Sequence, residues 1–135
     1  MLTDRNQIES LVEHYLAAYE GHDAKSCTAV YTSDARVLSP WGPPANGHTA
    51  IEAAHLAWFE DGETNKQMHI EDLIIVGDLA ICLIRFEADI PGTEGDTQRF
   101  HGASLNALRR QTGGSWKISH TSLNELHDTC AASAG

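Results

Sequence analysis

Eight histidines among the 135 residues are the side chains whose acid–base or metal chemistry the sequence raises first. They form no HxH pair and no HExxH motif, so their spacing predicts no metal site. His120 lies in a segment of alternating apolar residues, where it shares one side with Trp116 and Ile118. An imidazole titrates near pH 7. We therefore predict that His120 is a general base or ligand donor, or else a core histidine bonded to a backbone carbonyl.

Nucleophilic, redox and cofactor chemistry find little support in the sequence. Cys27, Cys82 and Cys130 are an odd number at unrelated spacings, so they form neither a CxxC pair nor a disulfide framework. No nucleophile stands beside an identifiable base. The sequence also lacks a GxGxxG motif after a strand and a phosphate-binding P-loop. We therefore expect no metal and no cofactor.

The charge of the chain restricts its partners. The formal net charge is −10, and the basic residues are scattered apart from Arg109 and Arg110. Such a surface repels phosphate backbones and anionic lipids, so we expect binding to neither nucleic acid nor membrane. The first ten residues lack the cationic start and apolar stretch of a secretory signal. The expected location is the cytoplasm.

Three helices are predicted in the first 62 residues, from apolar residues at helical spacing and from helix start and stop signals. The first ends at Gly21, the second covers residues 23–31, and the third begins with Thr49 and Glu52 as a capping box and ends near Gly62. The first helix is the clearest because its apolar residues recur at three- and four-residue spacing. These residues are Ile8, Leu11, Val12, Tyr15, Leu16 and Tyr19.

Strands dominate the rest of the chain. Gly77-Asp78 is a two-residue hairpin turn, and Gly113-Gly114 marks the last turn. The predicted strands cover residues 35–39, 68–76, 79–88, 99–110 and 116–123. Helices first and antiparallel strands later predict an α+β fold with the helices gathered on one side of a sheet. We expect a single domain over residues 1–127 and a flexible C-terminal tail over 128–135.

Four stretches in this order carry a family resemblance: residues 11–19 with 21–23, 31–37, 47–51 and 113–120. The sequence resembles the ketosteroid isomerase and nuclear transport factor 2 (NTF2) superfamily, including its SnoaL-like members. The resemblance implies a cone-shaped α+β barrel, in which three N-terminal helices pack on a strongly curved, mixed but mainly antiparallel sheet. It also implies a hydrophobic pocket for a small ligand and a homodimer formed through the outer face of the sheet.

The resemblance assigns candidate catalytic positions. In the isomerases a carboxylate is the base, while a tyrosine and a protonated carboxylic acid hold the oxyanion. Tyr15 falls where the helix-1 tyrosine lies, and Asn106 falls approximately at the acid donor, where an amide can still donate. Many members place a histidine at the position of His120, facing the cavity. Ser39 stands at the position of the base, and a serine without a partner cannot replace it at neutral pH.

Other residues are predicted to bind the ligand. Ser39 and Trp41 lie next to or in the proline-rich loop 40–47, and Ser104 shares a strand face with Asn106 by two-residue alternation. The remaining candidates come from one side of the third helix and from the last strand. They are His55, Trp58, Phe59 and Ser122.

Two classes of function remain open from the sequence. The protein is either an isomerase, dehydratase or hydrolase that acts on a hydrophobic carbonyl or hydroxyl compound, or a non-catalytic module for ligand binding or oligomerisation. The missing carboxylate at Ser39 favours the second class, but we expect a small-molecule-binding protein of the first class and keep the non-catalytic module as the alternative. Function on this scaffold must be decided from the site, because the fold hosts many activities.

Overall fold

The structure is a computed structural model that describes residues 3–127. The described residues form three helices and six strands. In chain order they are α1 (Asp4–Glu20), α2 (Ala24–Thr28), β1 (Tyr31–Leu38), β2 (Ala45–Asn46), α3 (Gly47–Glu60), β3 (Thr64–Val76), β4 (Leu79–Pro91), β5 (Thr97–Arg110) and β6 (Trp116–Glu125). The predicted order of helices and strands is confirmed.

All six strands belong to one open sheet in the order β2-β1-β6-β5-β4-β3. Strands β1 and β6 pair in parallel, and the other neighbours pair antiparallel. The predicted class, three helices packed on a mixed and mainly antiparallel sheet, is therefore confirmed, and it agrees with an α+β cone. The parallel β1–β6 pair joins the N-terminal half of the chain to the last strand, which α1 also contacts.

The N-terminus of α1 has the side-chain cap expected from its sequence, whereas the N-terminus of α3 differs from the prediction. The Thr3 hydroxyl accepts a hydrogen bond from the Asn6 backbone N–H (3.1 Å), which caps α1. The predicted capping box at Thr49 is wrong, because α3 already begins at Gly47 after the N-cap residue Asn46. Gly47 has φ +85°, in the left-handed region that glycine adopts without strain, so the chain turns into the helix two residues before Thr49.

Several boundaries differ from the predictions. Strand β1 begins at Tyr31, four residues earlier than expected. Helix α2 therefore ends at Thr28 and does not extend to residue 31. The short strand β2 lies inside the predicted loop 40–47 and pairs with β1. Strand β3 begins at Thr64, four residues before the predicted start at residue 68. This extension matters because it places Lys66 in the sheet.

A β-bulge interrupts β6. Leu108 pairs with Ile118 and Ala107 pairs with His120, so Ser119 is an extra residue without a pairing partner. The Ser119 hydroxyl donates to the Ala107 carbonyl (3.2 Å). The bulge shifts the alternation of side chains by one residue, so the residues after it face the other side of the sheet from the one that simple alternation predicts.

The helices cover one face of the sheet and leave the other face open. The main core lies beneath α1 and α3, where Ile8, Ile51 and Leu108 are fully buried. No helix within residues 3–127 is long and apolar enough to cross a membrane. The single domain over 1–127 and the cytoplasmic location stay predictions, and the flexible tail over 128–135 lies outside the described residues.

Candidate functional site

A cavity of about 440 Å³ lies between the covered face of the sheet and the helices. Its volume falls in the range of small-molecule binding sites. Most of its wall is apolar, contributed by helix α1 and by strands β3, β4 and β6. Representative wall residues are Leu11, Val12, Met68, Ile84, Ile118 and Leu123. Trp41, which is half exposed and stacks edge-on against Phe100 at 5.5 Å, marks the opening of the cavity.

Asn106 lines the cavity from the middle of β5, but its polar atoms are occupied. Its Nδ2 donates to the Cys82 carbonyl (3.2 Å) and to the Ser104 hydroxyl oxygen (3.0 Å). Its Oδ1 accepts from the Thr121 hydroxyl (2.7 Å). The Cys82 carbonyl can only accept, which fixes the orientation of the amide. The group that this cluster offers a ligand is thus the hydroxyl hydrogen of Ser104, not the Asn106 amide.

Tyr15 also lines the cavity, and His55 lies behind it. His55 Nδ1 lies 2.8 Å from the Ile51 carbonyl, an acceptor only, so Nδ1 carries the ring hydrogen. Nε2 is then an acceptor, and the Tyr15 hydroxyl donates to it at 2.8 Å. Burial lowers the pKa of His55 to about 4 and raises the pKa of Tyr15 well above its usual value. Both groups are neutral at pH 7, and the Tyr15 oxygen can accept a hydrogen bond from a ligand.

A second tyrosine joins these two clusters. Tyr31, at the start of β1, lines the cavity and lies edge-on to Tyr15, with the ring centroids 6.4 Å apart. Burial raises the pKa of Tyr31 to about 12, and hydrogen bonding to the Thr121 side chain opposes this rise. A row of hydroxyl groups therefore runs along the cavity wall from Tyr15 through Tyr31 to Thr121.

The charged part of the cavity comes from the start of β3 and the residue just before it. Lys66 and Glu63 form an ion pair with 3.6 Å between Nζ and Oε1, and their side chains are only 9% and 13% exposed. The Tyr19 hydroxyl donates to the same Glu63 oxygen. Burial lowers the pKa of Lys66, and burial together with the Glu63 charge raises the pKa of Tyr19. Ion pairs this well buried inside a cavity are candidates for function.

Half of the predicted site residues line this cavity. Tyr15, Trp41, Trp58, Ser104 and Asn106 do so. His55 lies one layer behind, in contact with Tyr15. Phe59 packs beside Tyr19 at 5.0 Å between ring centroids and does not line the cavity. Among residues 3–127, no three His, Cys, Asp or Glu side chains converge on a possible metal position.

His120, Ser122 and Ser39 lie elsewhere. The prediction that His120 and Ser122 face the cavity is wrong, because the bulge at Ser119 turns both to the outer face, where His120 is exposed. Thr121 and Leu123 line the cavity in their place. The Ser39 hydroxyl accepts from the Trp41 backbone N–H (3.0 Å), so it holds the loop and does not reach the cavity.

Three cavity residues, Lys66, Tyr19 and Thr121, are not among the predicted site residues, and the sequence contains a signal for some of them. Lys66 alternates with Met68 and Ile70 on the covered side of β3, and extending that strand by two residues would have placed it there. Tyr19 was assigned to the apolar side of α1 but not to the site. Thr121 could not be found, since no residue type in the 116–123 segment announces the bulge.

Comparisons with known proteins agree with this architecture. The family model of the SnoaL-like domain matches residues 12–117. A ketosteroid isomerase-like protein from Erwinia carotovora atroseptica has a TM-score of 0.79 at 23% identity, covering 89% of this chain and 94% of that chain. An NTF2-like superfamily protein from Salmonella enterica serovar Typhimurium has a TM-score of 0.77 at 14% identity, covering 93% of each chain.

A third similar structure is described by its association role. It is a putative calcium/calmodulin-dependent protein kinase type II association domain from Thiobacillus denitrificans, with a TM-score of 0.72 at 20% identity, covering 88% of this chain and 94% of that chain. At such identities these structures show the fold alone. No curated protein matches the chain. Because the family model spans well over half of the sequence, the chain belongs to the SnoaL-like family of the NTF2-like superfamily.

Proposed function

We propose that this protein binds a small, largely apolar molecule that carries a carbonyl or hydroxyl group. The observation that carries the proposal is the cavity itself, whose wall is mostly apolar and holds a smaller set of polar and charged side chains. Ser104 can donate to a ligand oxygen, and Tyr15 can accept from a ligand hydroxyl. A site of this composition takes most of its affinity from apolar contact and its orientation from the polar groups.

Proton transfer is the chemistry that the charged pair supports. Glu63 offers a carboxylate and Lys66 offers an amine within one cavity wall. Such a pair can remove a proton from a carbon beside a carbonyl and return one elsewhere, which is the step shared by isomerases and dehydratases. We therefore propose an isomerase or dehydratase in which Glu63 and Lys66 take the roles that the sequence assigned to His120 and Asn106.

A non-catalytic module remains the second candidate, because the predicted catalytic set does not converge. Ser39 is bound to its loop, the Asn106 amide is occupied, and His120 lies outside the cavity. One structural relative is named as an association domain. One variant, Glu63→Gln, distinguishes the two candidate functions. Glu63→Gln abolishes turnover and preserves ligand binding in an enzyme, whereas a module has no turnover to lose on a panel of apolar ketones and alcohols.

Ligand binding can be tested with Nile red, a neutral apolar dye with one carbonyl. We expect its fluorescence to rise and shift to the blue on binding. The substitution Leu123→Trp fills part of the cavity and should weaken binding by about tenfold or more, since ~1.4 kcal/mol corresponds to tenfold. Leu56→Trp, on the exposed side of α3, is the matched control and should leave binding unchanged. Equal affinity in all three proteins would place the dye elsewhere and refute the cavity as the binding site.

The homodimer is proposed on the outer face of the sheet. Large apolar side chains lie exposed there on three neighbouring strands: Ile74, Val76, Leu79, Ile81 and Leu105. Exposed apolar groups that lie together are typical of interaction surfaces. The open face is also the one that the helices do not cover, so a second copy could pack on it without disturbing the cavity.

A further inference from the structure

Lys66 occupies an unusual environment for a lysine. Its side chain projects from β3 into the cavity wall and is 9% exposed. The Nζ atom lies between two aromatic rings, 4.1 Å from the centre of the Tyr19 ring and 4.3 Å from that of Phe86. Lysines are almost never this buried unless they are paired. Among the described residues that line the cavity, Lys66 therefore supplies the one amine, and it lies against two aromatic rings.

The pairing of this amine is incomplete. Glu63 Oε1 lies 3.6 Å from Nζ, beyond the range of a good hydrogen bond, and that oxygen also accepts from Tyr19. The titratable groups around Lys66 come from three helices and the segment before β3: Tyr19, Cys27, His55 and Glu63. Burial raises the pKa of Cys27 to about 12 and keeps His55 neutral, so among these four groups Glu63 supplies the compensating charge. The exposed residue Asp61 also lines the cavity.

The balance of these effects favours a reactive amine. Burial lowers the pKa of Lys66, while the Glu63 charge opposes that shift. A lysine desolvated in an apolar pocket is activated as a nucleophile because a larger fraction carries a free lone pair at a given pH. The two surface lysines of the chain, Lys25 and Lys117, lack this environment, with Lys25 exposed and Lys117 half-buried.

We propose that Lys66 forms an imine with an apolar aldehyde or ketone bound in the cavity. This inference rests on the proposed ligand-binding function and narrows its substrate class to carbonyl compounds. The geometry supports it through an amine at the cavity wall, a carboxylate 3.6 Å away and aromatic rings that can pack against the substrate. In this proposal Lys66 is the nucleophile and Glu63 transfers its proton, so both members of the buried ion pair take part in the reaction.

The steps balance without an added co-reactant. The step begins from the neutral form of Lys66 with Glu63 ionised: the Nζ lone pair attacks the carbonyl carbon, and the C=O π electrons move to oxygen. Glu63 takes the proton that leaves nitrogen and transfers it to that oxygen, which gives a carbinolamine. Loss of the hydroxyl group as water, with one further proton from nitrogen, forms the C=N bond. The reverse sequence with water regenerates the amine and the carbonyl compound.

The test is reductive trapping of the full chain. The protein is incubated with naphthaldehyde and sodium cyanoborohydride at neutral pH, which converts an imine into a stable secondary amine. Peptide mapping by mass spectrometry then locates the added mass among Lys25, Lys66, Lys117 and the N-terminal amine. We expect labelling of Lys66 to be about tenfold or more faster than labelling of Lys25, despite its burial. Labelling of Lys25 and Lys117 at equal or higher rates overturns the proposal.

Two controls separate this inference from the proposed function. Lys66→Met should abolish the fast labelling, whereas Lys117→Met should preserve it, and circular dichroism checks that both variants fold. Saturating Nile red should slow the labelling of Lys66 in the unaltered protein. If Nile red binds in the cavity but Lys66 is not trapped, the imine proposal fails and ligand binding stands. If Nile red does not bind, the proposed function fails.

Discussion

The direction of single hydrogen bonds decides what each cavity residue can offer a ligand. Tyr15 and Asn106 both line the cavity, yet each gives its protons to the protein: Tyr15 to His55, and Asn106 to Cys82 and Ser104. A buried donor that already has a partner must lose that bond before it can serve a ligand, which costs free energy. Positions that resemble a catalytic motif are therefore not sufficient to assign a catalytic role.

The Tyr15–His55 bond should be visible in stability. Tyr15→Phe leaves His55 Nε2 buried without a donor, and we expect a loss of ~1–3 kcal/mol in the free energy of unfolding. Urea denaturation followed by circular dichroism measures it. The double variant Tyr15→Phe/His55→Leu removes both partners and should cost less than the sum of the two single variants. Additive losses would contradict a direct hydrogen bond between the two side chains.

His55 should also give the protein a pH-dependent stability. Its pKa falls from 6.5 to about 4 on folding, because burial penalises the imidazolium. Above pH 6.5 the ring is neutral in both states. As the pH falls from 6.5 to 4, the unfolded chain gains a proton that the folded chain does not, so stability decreases by up to ~3 kcal/mol.

The measurement is urea denaturation at a series of pH values between 7 and 4, comparing the unaltered protein with His55→Gln. Glutamine does not titrate, so the loss of stability over this interval should be smaller in the variant. Parallel curves for the two proteins would show that His55 titrates alike in the folded and unfolded states, against the burial seen here.

At the scale of the elements, the sequence predicted what is local and missed what depends on pairing. The stripe on α1 and the Gly77-Asp78 hairpin follow from periodicity and turn chemistry, and both are present. The bulge at Ser119 depends on the register between β5 and β6, which no local pattern contains. One extra residue was enough to exchange His120 for Thr121 in the cavity.

The buried ion pair was missed for a different reason. A lysine is usually solvated, so the sequence pattern predicts that β3 begins at Met68, the first apolar residue. The tertiary structure overrides that preference, since Tyr19, Phe86 and Glu63 together offset part of the cost of burying Lys66. Such compensation comes from three separated segments and cannot be read from any one of them.

Gly102 tests how tightly β4 and β5 approach beside the cavity. It pairs with Phe86, and a Cβ at this position would lie 2.4 Å from the Phe86 ring. Gly102→Ala must therefore displace a buried ring that also faces Lys66, and we expect a loss of ~1–3 kcal/mol in stability from overpacking. Thermal denaturation and Nile red titration measure both effects.

The control for that variant is Gly113→Ala in the turn between β5 and β6. A Cβ there meets no atom within 4 Å, so stability and dye binding should change little. If Gly102→Ala were as stable as Gly113→Ala and bound the dye equally well, the ring of Phe86 would have room to move, and the close packing of β4 on β5 would not limit the cavity.

At the scale of the whole molecule, the two faces of the sheet have separate roles in the proposals. The covered face carries the cavity, and the outer face carries the exposed apolar residues. Ile74 pairs with Ile81, and Ile81 pairs with Ala107, which in turn pairs with His120, so these four residues cross β3, β4, β5 and β6 in one row. The proposed dimer surface is therefore continuous across four strands, and His120 lies on it.

The dimer prediction is tested by placing a charge in the middle of that row. Ile81 is 47% exposed, and Ile81→Glu should convert a dimer into a monomer, because a carboxylate cannot be buried without a partner. Leu56→Glu, at a residue that is 51% exposed on α3, adds the same charge away from the sheet and should preserve the dimer. Sedimentation velocity at micromolar concentration measures the assembly of all three proteins.

Salt gives an independent criterion for the same dimer. Each chain carries a formal net charge of −10, so two copies repel one another, and added salt screens that repulsion. An interface held by apolar contact should then become tighter as ionic strength rises, whereas one held by ion pairs should weaken. A monomer at every salt concentration, or a dimer that Ile81→Glu leaves intact, would show that the apolar outer face does not join two copies of this chain.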